Sequence, residues 1–238
     1  MVNPQHIKAK QGEVAKRVIV SGDPARVKQL SSKLDNPRLV SENRGFLTYT
    51  GRYKGVEFTI ACHGVGAPSA AVVIEELVML GAKAIVRLGS CGGLLKEMKI
   101  GDLIIPTGAA YISGTLHQYL KGEHISPVPD FELTRQLVDT ATELKIKHFV
   151  GPVFSSDAFH AEDPDFVARW TGRGYIAVEM ECATLFGLAM IRGIKAASLL
   201  LVSDNLAEMQ PMVDAEGLKR HVEVSSNVVF ESLLRYKV

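Results

Sequence analysis

The stretch Tyr175-Ile176-Ala177-Val178-Glu179-Met180-Glu181-Cys182 decides how the fold of this chain is interpreted. Its first four residues, 175–178, are typical of a buried strand, and the apolar run at residues 183–190 predicts a helix directly after it. Open α/β sheets are built from strands that lead into helices, and they bind ligands at the carboxyl ends of those strands. Glu179 and Glu181 therefore stand where a ligand is expected.

Two carboxylates at a strand end indicate a particular kind of ligand. Acidic side chains are costly to bury without partners. Because carboxylate oxygens only accept hydrogen bonds, the natural partners of Glu179 and Glu181 are hydroxyl groups, and a vicinal diol suits such a pair. Two simpler interpretations stay open at this point: the glutamates face water, or they belong to a capped helix start.

Segments of strand type and helix type alternate along the whole chain. The pattern predicts strands at residues 17–21, 46–51, 56–61, 84–88, 103–106, 148–154, 175–178 and 196–202. It predicts helices at residues 25–34, 69–81, 131–144, 183–190 and 214–236. Residues 112–130 contain Gly, His and Pro and are typical of a long functional loop. We expect the α/β class: one domain over residues 1–238, with a mixed central β-sheet flanked by helices on both faces.

The composition restricts the class of partner. The chain has 238 residues and a net charge of +1, so no overall field favours nucleic acid or a membrane surface. It shows neither a signal-peptide pattern nor an apolar run of about 18 residues, and we expect a cytoplasmic protein. Its three cysteines form no CxxC pair, which predicts small buried thiols in a reducing compartment rather than a metal site or disulfides.

The first predicted strand ends in Gly22-Asp23-Pro24-Ala25-Arg26. A glycine between a strand and a helix start exposes backbone N–H groups beside the positive end of the helix, which suits an anion. Arg26 lies one turn into that helix and can reach the same anion with its guanidinium fork. The alternative is a plain turn.

A second candidate anion contact lies on the strand at residues 84–88. Arg87 stands between Val86 and Leu88 and must find a partner, because a guanidinium does not deprotonate. The turn that follows, Gly89-Ser90-Cys91-Gly92, lets a ligand approach the backbone closely. Either Arg87 meets the same anion as Arg26, or it forms an internal ion pair with a glutamate.

Asp204 closes the most apolar strand of the chain. A carboxyl group at the mouth of so apolar a segment should have a raised pKa and could stay protonated near neutrality, as a general acid requires. A turn cap for Asn205-Leu206 is the competing interpretation.

In order, these segments resemble the trimeric and hexameric nucleoside phosphorylases, a family of bacterial-type purine nucleoside phosphorylases, uridine phosphorylases and archaeal methylthioadenosine phosphorylases. The resemblance runs from Pro4 to about residue 205. It is carried by Gly22-Asp23-Pro24-x-Arg26, Asn43-Arg44-Gly45, His63-Gly64-x-Gly66-x-Pro68-Ser69, Arg87-x-Gly89-Ser90-Cys91-Gly92, Val178-Glu179-Met180-Glu181 and Ser203-Asp204.

The resemblance implies a role for each site residue. Phosphate would be held by Gly22, Arg26, Arg87, Gly89 and Ser90, with Arg44 supplied by a neighbouring subunit. The ribose would meet Glu179, Met180 and Glu181, and His6 of a neighbour would meet its 5′ position. The base would lie against Cys91, Gly92, Phe159, Val178 and Ser203, and Asp204 would protonate purine N7.

The resemblance further implies phosphorolysis of purine ribonucleosides or deoxyribonucleosides to free base and (deoxy)ribose 1-phosphate. Phosphate would be a co-substrate, with no metal and no other cofactor. Because His6 and Arg44 would act across a subunit boundary, we expect a homo-oligomer, at least a dimer and by resemblance a hexamer built as a trimer of dimers. Nucleic acid and membranes are not expected partners.

Several alternatives remain. The chain lacks the arginine that assists the acid in bacterial-type members, and the nearest basic residues after Asp204 are Lys219 and Arg220. Residues 155–160 lack the Gln/Arg pair with which uridine phosphorylases bind a pyrimidine, which favours a purine over uridine. Methylthioadenosine stays open as a substrate. The sister nucleosidases lack the phosphate arginines, so phosphorolysis is favoured over hydrolysis. A non-catalytic nucleoside sensor is the alternative from another class.

Overall fold

A nine-stranded mixed β-sheet organises the protein. The computed structural model describes residues 4–112, 114–161 and 163–238. The strands are β1 (Arg17–Ser21), β2 (Asp35–Ser41), β3 (Thr48–Tyr53), β4 (Val56–Cys62), β5 (Ala84–Gly93), β6 (Leu103–Tyr111), β7 (His148–Ser155), β8 (Ala177–Glu179) and β9 (Lys195–Asn205). The predicted α/β class with a mixed central sheet is confirmed.

Seven α-helices connect and cover these strands in the described part of the chain. They are α1 (Pro24–Ser31), α2 (Ala67–Met79), α3 (Gly114–Tyr119), α4 (Phe131–Glu143), α5 (Phe166–Thr171), α6 (Cys182–Arg192) and α7 (Ala215–Arg235). Two short 3₁₀ turns, Asn43–Gly45 and Leu206–Glu208, complete the secondary structure. None of the described helices has the length and apolarity needed to cross a lipid bilayer.

The sheet closes on itself around the site-bearing strands. Its order is β2-β3-β4-β1-β5-β8-β7-β6-β9, and β9 also pairs with β5 in parallel, which completes a ring of five strands. The short strand β8 runs antiparallel to β5, with Val178 opposite Gly92. The closure therefore brings the end of β8 against the second half of β5, next to the end of β9.

Both faces of the sheet are buried, as the apolar strands require. Successive residues of β5 enter opposite cores: Ile85 packs with residues of α2 and α6, whereas Val86 packs with residues of α1, α4 and α7. This two-sided burial explains why β5 and β9 are continuous apolar runs rather than alternating ones. Burial on both faces also fixes the positions of the strand ends that carry the polar residues.

The predicted strands and helices are confirmed apart from shifts at their ends, with three differences. The predicted loop at 112–130 contains helix α3, and residue 113 lies outside the described residues. Strand β2 was missed because it is an exposed edge strand of mostly polar sequence that includes Pro37, without an alternating apolar pattern. Helix α5 was missed because six residues are too few to show helical periodicity.

Candidate functional site

A cavity of about 780 Å³ opens where strands β1, β5, β8 and β9 end. This volume lies in the ordinary range for a small-molecule site. Its lining brings together fourteen residues that the sequence analysis placed in the site. They are Gly22, Arg26, Arg87, Gly89, Ser90, Cys91, Gly92, Phe159, Val178, Glu179, Met180, Glu181, Ser203 and Asp204.

Glu179 is held by hydrogen bonds around its whole carboxylate. Its Oε2 accepts from the backbone N–H of Glu181 and of Cys182, each at 2.8 Å, at the start of α6. Its Oε1 accepts from the Ser155 hydroxyl, whose oxygen in turn accepts from the Ala183 N–H at 2.9 Å. The interpretation of a capped helix start is therefore correct for Glu179, although its side chain is fully buried rather than facing water.

Glu181 and Arg87 form a buried ion pair in the lining of the cavity. Arg87 Nη2 donates to Glu181 Oε2, and the Gly66 N–H donates to Glu181 Oε1 at 2.7 Å. Burial is the largest single effect and would raise the pKa of Glu181, but the charges of Arg87 and His63 and the hydrogen bonds from Gly66 and Arg87 together hold the pKa below its usual range. The internal ion pair considered for Arg87 is thus present, and Arg87 also lines the cavity.

Gly89 makes room for the guanidinium of Arg87. The two residues project from the same face of β5, and a Cβ at Gly89 would lie 2.1 Å from Arg87 Nη1. No side chain fits there unless Arg87 moves. The glycine was expected to admit a ligand to the backbone; what the structure shows above it is the side chain of Arg87.

Gly22, Arg26 and Arg87 line the cavity together. Arg26 is buried, and its Nη1 donates to the Leu88 carbonyl at 3.3 Å. Burial lowers the pKa of Arg26 to about 10, so its guanidinium keeps its charge at neutral pH. Asp23 caps helix α1 by accepting from the Ala25 N–H at 2.8 Å. Two buried guanidinium groups therefore face one space.

Asp204 lines the cavity beside Gly92, five residues along β5 from Arg87. Burial raises the pKa of its carboxyl group, and the hydrogen bond from the Ser203 hydroxyl at 2.7 Å only partly opposes this effect. The alternative of a turn cap is wrong for Asp204. The residue that caps the following 3₁₀ turn is Asn205, whose Oδ1 accepts from the Glu208 N–H at 3.1 Å.

Apolar side chains complete the wall around Asp204. Phe159 is 54% exposed at the cavity, with its ring edge-on to His160 at 5.0 Å between centroids. Five further lining residues come from the segment that follows Asp204: Leu206, Met212, Val213, Ala215 and Leu218. No site residue was predicted from the sequence in this segment. Among the described residues the arginines and lysines of the lining are Arg26 and Arg87, and Lys219 and Arg220 do not line the cavity.

Gly64, Val65 and Ser156 also line the cavity and were not among the predicted site residues. The motif His63-Gly64-x-Gly66 was a signal that could have indicated the first two. Gly64 has a φ of +71° and its carbonyl oxygen would lie 2.7 Å from a Cβ at Gly22, so the two glycines allow the β1 and β4 ends to meet.

His6 and Arg44 lie outside the lining of this cavity. His6 Nδ1 is 2.8 Å from Glu76 Oε1, and the Glu76 carboxylate also accepts from the backbone N–H groups of Gln5, His6 and Ile7. Arg44 is exposed and has a left-handed backbone with φ of +57°. The Asn43 side chain joins the two segments by donating to the His6 carbonyl at 2.9 Å. Both residues were assigned to a neighbouring subunit, and that assignment stays a prediction.

The cysteines follow the expectation of buried free thiols. Cys62, Cys91 and Cys182 are all buried and unpaired with one another, and burial raises the pKa of each. Across residues 4–112, 114–161 and 163–238, no group of three or more His, Cys, Asp or Glu side chains is placed to hold a metal ion.

A closed α/β sheet with a cavity lined by buried arginines, buried carboxylates and apolar side chains is typical of a small-molecule enzyme site. The model of the phosphorylase superfamily matches residues 16–234. The chain belongs to this superfamily.

Curated relatives cover most of the chain. It is 36% identical over 206 residues to a guanosine phosphorylase of Halorubrum lacusprofundi, covering 87% of this chain and 85% of the relative. It is 34% identical over 213 residues to a DeoD-type purine nucleoside phosphorylase of Clostridium perfringens, with 89% and 91% covered. A protein of the same name from Caldanaerobacter subterraneus subsp. tengcongensis is 36% identical over 203 residues, with 84% and 88% covered.

Proposed function

We propose that this protein catalyses the reversible phosphorolysis of purine ribonucleosides and 2′-deoxyribonucleosides to free base and (deoxy)ribose 1-phosphate. The observation that carries the proposal is the lining of one cavity by Arg26, Arg87, Glu181 and Asp204. These four side chains supply what the reaction needs: cations for phosphate, an acceptor for sugar hydroxyls and an acid for the base. The names of the relatives support the same activity.

Arg26 and Arg87 bind orthophosphate beside Gly22 and Ser90 in this proposal. Orthophosphate is a poor nucleophile, and fixing it in line with C1′ supplies much of the rate by removing the entropy of the encounter. The two arginines are buried, so their attraction for a dianion is screened less than at a surface. Phosphate is the co-substrate, and the proposal includes no metal and no other cofactor.

Glu181 and the Met180 backbone take the ribose 2′- and 3′-hydroxyls. Each Glu181 oxygen already accepts one hydrogen bond, from Gly66 or from Arg87, and keeps acceptor capacity for a hydroxyl. The C1′–N9 bond breaks to give an oxocarbenium-like ribose, and the carboxylate and the bound phosphate both stabilise that positive charge. The phosphate oxygen then forms the new bond to C1′.

Asp204 protonates N7 of the purine as the bond to C1′ breaks. The electron pair of that bond passes to the base, and the proton neutralises it. Burial, which raises the pKa of Asp204, favours the protonated form that a general acid needs. Phe159 stacks on the base, and Val178, Cys91, Gly92 and Ser203 form the rest of its pocket.

Three alternatives receive less support. A nucleosidase needs no phosphate cations, whereas two buried arginines line this cavity. A nucleoside sensor needs no acid, whereas Asp204 is buried with a raised pKa. A uridine phosphorylase would not need Asp204 as an acid for N7, because pyrimidines have no such atom. Methylthioadenosine remains a candidate among the purine substrates.

The same proposal includes an oligomer with shared sites, in which His6 and Arg44 of one subunit complete the cavity of another. A complementation experiment tests it. Arg44→Met and Asp204→Asn variants, each inactive alone, are co-expressed with different tags. In mixed dimers one of the two sites would contain neither substitution, so randomly paired dimers should regain about a quarter of the wild-type activity. No recovery in isolated mixed oligomers would contradict the shared site.

Base release from inosine, guanosine, adenosine, methylthioadenosine and uridine, each with and without orthophosphate, tests the activity. We expect phosphate-dependent release from purine nucleosides and little from uridine. Release that does not depend on phosphate would indicate a nucleosidase. No release from any of the five would favour the sensor.

A further inference from the structure

We propose that Glu179 is a positioning residue, which fixes Arg87 and the start of helix α6 and does not itself bind the ribose. This inference rests on the proposed function, because it divides the work within that site. It revises the ribose contact that the resemblance implies for Glu179.

The first observation is that the Glu179 carboxylate is already enclosed and satisfied. Although Glu179 is among the lining residues, its side chain has no exposed surface, whereas that of Glu181 is 6% exposed. Oε2 accepts two backbone N–H groups and lies 3.4 Å from Arg87 Nη1, and Oε1 accepts from Ser155. A sugar hydroxyl would have to displace one of these partners to reach it.

The second observation is that Arg87, a partner of Glu179, lies between two carboxylates. Arg87 lines the cavity at the proposed phosphate site, and its two terminal nitrogens are divided between two carboxylates: Nη1 faces Glu179 and Nη2 donates to Glu181. Ion pairs on both sides restrict the rotation of the guanidinium group. The charge of Glu179 therefore acts on the phosphate contact, through Arg87, rather than on the sugar.

The third observation concerns Glu181. Glu179 Oε2 accepts from the backbone N–H of Glu181 itself, and Ser155 links Oε1 to the N–H of Ala183 one turn into α6. Ser155 does not line the cavity. Glu179 and Ser155 thus hold in place the backbone around Glu181, which is the proposed hydroxyl-binding residue.

Glu179→Gln separates positioning from binding. The variant keeps an oxygen that can accept the backbone N–H groups, but it removes the charge opposite Arg87. We expect the KM for phosphate to rise about tenfold, since Arg87 loses one of its two anchors. The ratio of kcat/KM for inosine to that for 2′-deoxyinosine and 3′-deoxyinosine should stay within about twofold of wild type, because no hydroxyl contact is lost.

Glu181→Gln is the matched control, and it should change the ribose to deoxyribose ratio. A change of that ratio in Glu179→Gln would overturn the inference, and so would a KM for phosphate that is unchanged or lower. If Glu179→Gln does not fold, Ser155→Ala provides a second variant, for which the same pattern is expected with a smaller effect.

The failure of the proposed function is distinguishable from the failure of this inference. Without base release by the wild-type enzyme the proposed function fails, and calorimetric titration with orthophosphate then decides the role of Glu179. Weaker binding of phosphate by Glu179→Gln than by wild type supports positioning. Equal or tighter binding contradicts it.

Discussion

Nη1 of Arg87 lies 3.4 Å from Oε2 of Glu179, and Nη2 of the same guanidinium donates to Glu181. This arrangement joins the end of β8 to the middle of β5. It makes one unit of the two glutamates at the strand end and the arginine of the neighbouring strand. The cation of the proposed phosphate site and the carboxylate of the proposed sugar site therefore belong to one ion-pair network.

Replacing Arg87 should destabilise the fold. In Arg87→Met two buried carboxylates lose their cation, and breaking a buried pair from one side typically costs about 3–5 kcal/mol. Urea denaturation of Arg87→Met should show a loss in this range. The matched control is Arg52→Met, which removes an exposed arginine 3.9 Å from Glu57. That change should cost less than about 1 kcal/mol, and equal losses in the two variants would contradict the coupling described above.

Asp204→Asn should slow purine cleavage without affecting phosphate. Asparagine keeps the size of the side chain but cannot release a proton to N7, and general acid catalysis typically contributes about 10²–10⁴-fold. We expect kcat/KM for inosine to fall by that factor. The Kd of orthophosphate, measured by calorimetry, should stay within about twofold. A large loss of phosphate binding would contradict the role given to Asp204.

The raised pKa of Asp204 also predicts a dependence of stability on pH. Because burial raises this pKa, the folded protein holds the proton to a higher pH than the unfolded chain does. The stabilisation that protonated Asp204 contributes to the fold is fully present below its pKa in the unfolded chain, which is about 4. This stabilisation is lost as the pH rises through the pKa of Asp204 in the folded protein. Asp204→Asn has no proton to lose. The Tm of this variant should match that of wild type near pH 4 and exceed it at pH 8.

The exposed residue Asp139 provides the control for this pH series. Asp139→Asn should shift Tm little at any pH, since its partner Arg135 is also exposed at the surface. If the Tm difference between Asp204→Asn and wild type were constant with pH, burial would not explain the state of this carboxyl group.

Gly89→Ala should displace Arg87. The new methyl group would lie 2.1 Å from Arg87 Nη1, and the guanidinium would have to leave its place between the two glutamates. We expect the KM for phosphate to rise about tenfold, which is on the order of 1.4 kcal/mol. Gly114→Ala is the control, because no atom lies within 4 Å of a Cβ there. Equal kinetics for Gly89→Ala and wild type would show that Arg87 can act from another position.

Much of this architecture could be predicted because its signals are local. The β1 strand, the hairpin of β3 and β4 and helix α4 follow from apolar periodicity and turn residues within each segment. The polar strand ends at Gly22, Arg87 and Asp204 were recognisable for the same reason. An arginine or aspartate between apolar residues is expected to be buried, and a buried charge requires a partner.

What could not be predicted depends on contacts between distant segments. Closure of the sheet through β5, β8 and β9 is set by pairing, which no single segment records. The choice of Glu181 as the partner of Arg87 spans 94 residues of sequence. The apolar wall of Leu206, Met212 and Val213 was missed because ordinary apolar residues do not differ, in sequence, from core residues.

The chemical fate of orthophosphate is the most direct test of the proposed phosphorolysis. Phosphorus NMR of a reaction with inosine and orthophosphate would follow it, while the free hypoxanthine is measured in the same sample. We predict that one ribose 1-phosphate forms for each base released, and that both products vanish when phosphate is omitted. Hypoxanthine that accumulates without any sugar phosphate would contradict the proposed function.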